Sequence, residues 1–293
     1  MGKTLLIGNG INLLTHSVSW KNVIKRLAKF ANKQDLIMEH IEEKPFTLVF
    51  EEIYLRSAKI NEITELQLKE EVARIINEIP HSDYHEQLVQ SNVRHILTTN
   101  YDYNLEDAAG NDYVDTSPSK ETKYSLFRRR SLLQKNIWHI HGEYSVPNSI
   151  ALGHDHISGS LHHIRDYLVT RSKRSQQKAS PFLAGDLDFG LHSEDYSWLD
   201  IFLRDDIYIY GFSMDYTEIE LWWLLSFKER LRMKGKPVGK TVFFYFPGEE
   251  SNTKKEIGKR AILDSYGVHI IGLDGNNHIK AFYDFLESIK HGS

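Results

Sequence analysis

LLIGNGINL, residues 5–13, is a short apolar run that stops on Gly8-Asn9-Gly10. A buried strand ending on paired glycines allows a tight turn, and it lets a phosphate approach backbone N–H groups where the next helix starts. Leu13 stands where the dinucleotide fingerprint G-x-G-x-x-G has its third glycine, so the segment reads either as a phosphate turn or as a plain strand-to-helix turn. Beyond it Trp20, Val23, Ile24, Leu27 and Ala28 recur at helical spacing behind Ser19, a good N-cap.

The same strand-then-helix rhythm continues outward. Short β-branched and aromatic runs at 95–98, 137–141, 149–152, 207–210, 241–246 and 268–271 read as buried strands. Helical patterns between them predict an α/β fold, a Rossmann-like doubly wound and mainly parallel sheet of six or seven strands, as one domain over residues 1–293. Residues 36–90 read as helical throughout, with Leu68, Val72, Ile75, Ile76 and Ile79 on one face and Pro80 as the stop, and this is more than one crossover needs. That stretch is a helical insertion. Residues 217–233, with Trp222 and Trp223, predict a helix buried on more than one side or in a subunit contact. Residues 108–131 and 154–195 lack periodicity and read as loops or lids. A closing helix from about Asn277 is expected to bury Ile279, Phe282, Phe285 and Leu286.

Composition excludes several function classes. With 36 basic and 40 acidic residues and a net charge of -4, the chain has no global field to hold a polyanion, so nucleic acid is not indicated. The local basic runs, Arg128 to Arg130 and the segment 165–178, read as solvated faces. The count of 0 cysteines removes disulfides, thiolate nucleophiles and cysteine-ligated zinc. No signal peptide or membrane-length apolar run is readable, which predicts a cytoplasmic protein.

Three further segments carry chemistry. TTNYD, residues 98–102, puts Thr98, Thr99, Asn100 and Asp102 at a strand's carboxyl end, where open parallel sheets bind ligands; turn formation is the bland alternative. HIHG, residues 139–142, offers His141 as a base titrating near neutral pH, with His139 as a core or supporting histidine. A metal site built from these two with His154 and His156 is the alternative. In GFSMDYTEIE, residues 211–220, Gly211, Phe212 and Ser213 can meet a ligand, while Asp215 is either a cap or a ligand contact.

Together and in this order, GNGIN, TTNYD, HIHG and GFS resemble the sirtuin superfamily, and more narrowly the bacterial sirtuin-like NAD+ hydrolases of antiphage defence of the Thoeris and Kongming type. The resemblance implies NAD+ as substrate, no metal, and Asn100, His141 and Asp102 as the catalytic set. Gly8, Asn9, Gly10, Asn12, Thr98, Thr99, Gly211, Phe212, Ser213 and Asp215 are then cofactor-binding. Zinc-containing deacetylases carry a four-cysteine module, and without cysteine the helical insertion stands in its place. The expected activity is cleavage of the nicotinamide–ribose bond to nicotinamide and ADP-ribose. A non-catalytic NAD+ or ADP-ribose-binding assembly subunit, or an NAD-dependent deacylase or ADP-ribosyltransferase, are the other readings. The resemblance also implies a homo- or hetero-oligomer with a separate sensor, either an inosine-triphosphate-pyrophosphatase-like nucleotide-binding subunit or a HerA-type ATPase.

Overall fold

The computed structural model describes residues 1–16, 19–32, 37–39, 41–61, 63–110, 113–117, 123–132, 135–170, 179–247 and 253–291. Its centre is one sheet of β1 (Lys3–Ile7), β2 (His95–Thr98), β3 (Val114–Asp115), β4 (Arg129–Leu132), β5 (Lys135–His139), β6 (Asp206–Tyr210), β7 (Thr241–Tyr245) and β8 (Val268–Gly272). The strand order is β3-β4-β5-β2-β1-β6-β7-β8. Every pairing from β5 across to β8 is parallel, whereas β3 and β4 are antiparallel additions at one edge. The chain thus winds from β1 through β2 to β5, crosses back, and winds the other way through β6, β7 and β8. That is a doubly wound sheet with its switch point between β1 and β6.

Successive side chains on a strand face opposite ways, and the core divides accordingly. Leu6, Leu97, Trp138, Ile209 and Phe243 pack on one face with helix Trp198–Arg204 and helix Ile219–Met233. Leu5, Ile7, Ile96, Tyr208 and Phe244 pack on the other with Leu88, Phe282 and Phe285 of helices Asp83–Gln90 and His278–His291. Strands covered on both faces favour apolar sequence, which is why the Leu5–Ile7 centre of β1 and the Ile96-Leu97 centre of β2 are legible.

Between β1 and β2 the chain is helical, in Trp20–Phe30, Phe46–Asn61, Glu65–Ile76 and Asp83–Gln90. Ser19 caps the first by accepting a hydrogen bond from the Asn22 amide, and Thr64 with Gln67 forms a capping box on the third. Leu68, Val72, Ile75, Ile76 and Ile79 are all buried, in a core that also takes Tyr101, Ile150 and Leu152 from the loops after β2 and β5. The helices therefore pack against the carboxyl end of the sheet.

Several expectations need correction. The sheet has eight strands among the described residues rather than six or seven, because β3 and β4 lie in the stretch read as a loop, 108–131. Arg129 of β4 is not solvated: it is 1% exposed, lies over the Trp138 and Tyr196 rings and pairs with Glu194 at 2.6 Å. Arg130 pairs with Glu143 and covers Tyr103. Residues 149–152 are not a strand. Pro147 opens a 3-10 turn over Pro147–Ser149, and in the segment after it the Ala151 N–H donates to the carbonyl of His141, beyond the end of β5, at 2.8 Å. The stretch 154–195 opens with helix His154–Arg165, whose start is capped by His156 Nδ1 accepting the Leu152 and Gly153 amides. In the closing helix Phe282, Phe285 and Leu286 are buried as expected, but Ile279 is 49% exposed. Of the basic segment 165–178, residues 171–178 lie outside those described. Among the described residues no helix is long and apolar enough to cross a membrane.

Candidate active site

Four strand ends meet at the switch point. The register pairs Ile7 with both Tyr210 and Thr98, and Thr98 with His139. The turns that follow, Gly8 to Gly10, Thr99-Asn100, Ile140-His141 and Gly211 to Ser213, consequently leave the sheet side by side. A cavity of about 930 Å³ opens there, within the range of ligand sites. Asn9, Gly10, Thr99, Gly211, Phe212, Ser213 and Asp215 line it together with His141. Asn12, Thr98, Asn100 and Asp102 are buried behind it, and Gly8 adds nothing to its lining.

The glycines serve the protein before any ligand. A Cβ on Gly8 would lie 2.4 Å from the Gly211 carbonyl oxygen, and one on Gly10 would lie 2.5 Å from Gly211 Cα. The Gly8 and Gly10 amides donate to the Tyr210 and Gly211 carbonyls at 3.0 and 2.8 Å. Those two N–H groups clamp the β1 turn to the β6 turn. Lys44, Lys255 and Lys259 also line the cavity, paired with Glu52, Asp215 and Glu256, and Trp20, Phe46, Phe212 and Phe246 give it aromatic surface.

Each histidine of the HIHG segment has a carboxylate of its own. His139 bridges from Nδ1 to the Asn100 carbonyl at 3.1 Å and from Nε2 to Glu106 at 2.7 Å, wholly buried. His141 meets Glu220 through Nε2 at 2.8 Å. Burial works against a charged ring at both positions, but Glu106 at His139, and Glu220 followed by Glu218 at His141, overcome it and raise both above the ordinary imidazole range. At Glu218, burial pushes the carboxyl up to about 7; His141 opposes this, while Glu220 and Asp215 add to it. The inner end of the cavity is thus a histidine backed by two carboxylates.

Asn100 is held by its amide N–H to Thr98 Oγ1 at 3.0 Å, while its side-chain Nδ2 reaches the Gly8 carbonyl at 3.4 Å, a weak bond. Asp102, expected in the catalytic set, is bonded to protein groups. Its Oδ2 accepts from Asn12 Nδ2 at 2.8 Å and its Oδ1 from the Asn104 amide at 3.1 Å, and Asn12 Oδ1 is bonded in turn to Asn104 and His85. This network ties β1, β2 and helix Asp83–Gln90 together. Asp215 accepts from the Thr217 amide, as a turn cap does, and also lines the cavity.

The four-histidine metal alternative is not assembled, because His139, His141 and His156 pair separately with Glu106, Glu220 and Glu65 while His154 is exposed. His141, Glu218 and Glu220 bring one possible ligand atom each within 4.8 Å of one another. Within that group the His141–Glu220 hydrogen bond already occupies two of the atoms. Glu218 and Glu220 are absent from the sequence reading of the site. Their signal was available: two acidic residues flank Ile219 at the start of a helix whose first half is otherwise largely apolar.

A doubly wound sheet with a mixed polar and aromatic cavity at its switch point defines an α/β dinucleotide-binding protein. The SIR2-like domain family matches residues 94–271, and the chain belongs to that family, whose domains bind NAD+ and whose members are NAD-dependent enzymes. β1 and its glycine turn precede the matched segment and join it through pairing with β2 and β6. A comparison with curated proteins found no match.

Proposed function

We propose that the chain is an NAD+ glycohydrolase that cleaves the nicotinamide–ribose bond, giving nicotinamide and ADP-ribose. The observation that carries this reading is His141, backed by Glu220 and Glu218, lining the switch-point cavity beside the Thr99-Asn100 turn. Glycosidases that expel an alkoxide need an acid carboxyl. Nicotinamide leaves NAD+ as a neutral molecule, because the electrons of the breaking C–N bond neutralise its pyridinium nitrogen. What remains is to stabilise a cationic ribose and direct water to it. The buried carboxylates suit the cation, His141 takes the proton lost by water, and the Asn100 amide, held only weakly by Gly8, exchanges that bond for the ribose or the attacking water. The cavity lysines suit the pyrophosphate, and Asn9 and Ser213 the remaining polar atoms.

Unchecked hydrolysis would empty a cell of NAD+. We therefore infer that the enzyme is a gated effector of antiphage defence, activated in an oligomer by a separate nucleotide-binding or ATPase subunit; the support is its resemblance to sirtuin-like effectors. The test is release of nicotinamide, followed by chromatography, from NAD+ incubated with the purified chain, alone and with the products of neighbouring genes. Turnover that is lost in Asn100→Ala and His141→Ala with the fold intact is expected. NAD+ binding in calorimetry with no nicotinamide under any condition would make the chain a binding subunit instead.

A further inference from the structure

His141 is held by the protein through one ring nitrogen. Nε2 meets Glu220, the one hydrogen bond the ring makes among the described residues, and the ring lines the cavity. Glu220 is 1% exposed and stands in the first turn of helix Ile219–Met233, between Ile219 and the buried Leu221. A carboxylate fixed in a packed helix cannot follow a ring, so the ring must follow the carboxylate. An ionised carboxylate is only an acceptor, so Nε2 must carry the proton and Nδ1 of the neutral ring has the free lone pair.

On the reading of His141 as the base, we propose that Glu220 is its positioning residue: it keeps the proton on Nε2, turns Nδ1 to the cavity as the acceptor for the proton of water, and with Glu218 balances the charge the ring then carries. The groups around the ring agree with this. Glu218 comes from the residue before the same helix, with its Oε2 buried and unpartnered. Asp215 comes from the turn after β6 and is met by Lys255 of helix Lys254–Ser265 at 3.4 Å. From the loop after β2, the Tyr101 hydroxyl donates to the Ala151 carbonyl at 2.6 Å and adds no charge. The uncompensated groups nearest the ring are therefore carboxyls, and each favours the imidazolium that forms when water is deprotonated.

The experiment is an NMR titration of ring-¹⁵N histidine in the full chain, with the His141 signals assigned by their loss in His141→Asn, alongside the pH profile of nicotinamide release. In Glu220→Gln, which keeps an acceptor but loses the charge, the His141 midpoint should fall by about 1 unit or more, and the acid limb of kcat should move with it. The plateau of kcat should fall as well, because a charge that steadies the cationic ribose is lost, but by less than in Glu220→Ala. Glu220→Ala should show the same fall, a mixture of ring tautomers, and a plateau kcat lower by about 100-fold or more with KM little changed. Glu218→Gln, a smaller perturbation, should lower the midpoint less and serves if the Glu220 variants do not fold. A His141 midpoint unmoved to about 0.2 unit in these variants overturns the proposal. So does broadening of the His141 signals by stoichiometric Mn²⁺ that chelator reverses, since the three groups would then be metal ligands. The shifts without any nicotinamide release from wild type would refute the glycohydrolase and leave the positioning role standing; release without the shifts would do the reverse.

Discussion

His139 donates from Nδ1 to the main-chain carbonyl of Asn100 at 3.1 Å, and the same ring is locked at Nε2 by Glu106 at 2.7 Å. A buried carboxylate from helix Asn104–Ala108 thereby fixes the turn that presents Asn100, without itself reaching the cavity. Removing one partner of a buried ion pair leaves the other uncompensated. Glu106→Ala should therefore cost ~3 kcal/mol or more in urea unfolding. Nicotinamide release by the folded fraction should fall with it as the Asn100 turn loosens. A variant as stable as wild type would show that the pair does not hold this turn.

The contact between the β1 and β6 turns allows no methyl group. At Gly10 an added Cβ would sit 2.5 Å from Gly211 Cα, which is backbone and cannot swing away. Gly211 itself has φ +68°, a left-handed conformation that side chains disfavour. Gly10→Ala should part the turns, break the Gly10 N–H to Gly211 bond and lower stability by roughly 1–3 kcal/mol, read as a drop in the thermal midpoint. It should also weaken NAD+ binding in calorimetry, since both turns line the cavity. Unchanged affinity would mean that NAD+ does not depend on this wall.

Buried histidines make stability depend on pH in two directions. Burial holds His85 near 4 and His95 near 3, so both are neutral in the fold while the unfolded chain takes up protons at about 6.5. Below that pH the unfolded state binds more protons, and the stability these two contribute is lost as pH falls from about 6.5 toward 4. His139 and His141 are raised instead; their contribution is complete below about 6.5 and is lost as pH rises through their folded values. Urea midpoints should consequently peak near neutral pH. His95→Gln should flatten the acid side between pH 7 and 5, and Glu220→Gln the basic side. A midpoint independent of pH across that range would refute the assignment of these charges.

The parts of the fold that could be read from sequence are those whose signal is local. β1 and β6 are mainly apolar because both their faces are covered, and the glycines at their ends mark turns that must touch. Helix His154–Arg165 hid behind a polar, histidine-rich composition, and its cap is an imidazole, not a hydroxyl or carboxylate. β4 hid behind Arg128 to Arg130, because only tertiary structure supplies the Trp138 and Tyr196 rings and the acidic partners that make burying those charges possible. The site divides the same way. Position at a strand end singled out His141, but Glu220 is 79 residues further along the chain and becomes its partner only when helix Ile219–Met233 docks.

Asp102 is where geometry and resemblance differ most, and the two make opposite predictions. If it contacts the substrate, Asp102→Ala should abolish turnover in a stable protein. The geometry gives it three tasks inside the protein instead: accepting from Asn12, accepting from the Asn104 amide, and through Asn12 anchoring His85. Burial raises its carboxyl, and the Asn12 and Asn104 hydrogen bonds act against that rise. Truncation strands the Asn12 amide and the Asn104 N–H in a buried site, at roughly 1–3 kcal/mol for each group left unsatisfied. Asp102→Ala should therefore unfold at markedly lower urea, while nicotinamide release per folded molecule, measured where most of it is native, falls by less than about 10-fold, far short of the loss of a catalytic group. Asp102→Asn should be the milder change, since one amide can turn its oxygen to Asn104 while Asn12 re-pairs. A stable Asp102→Ala protein without activity would return Asp102 to the chemistry.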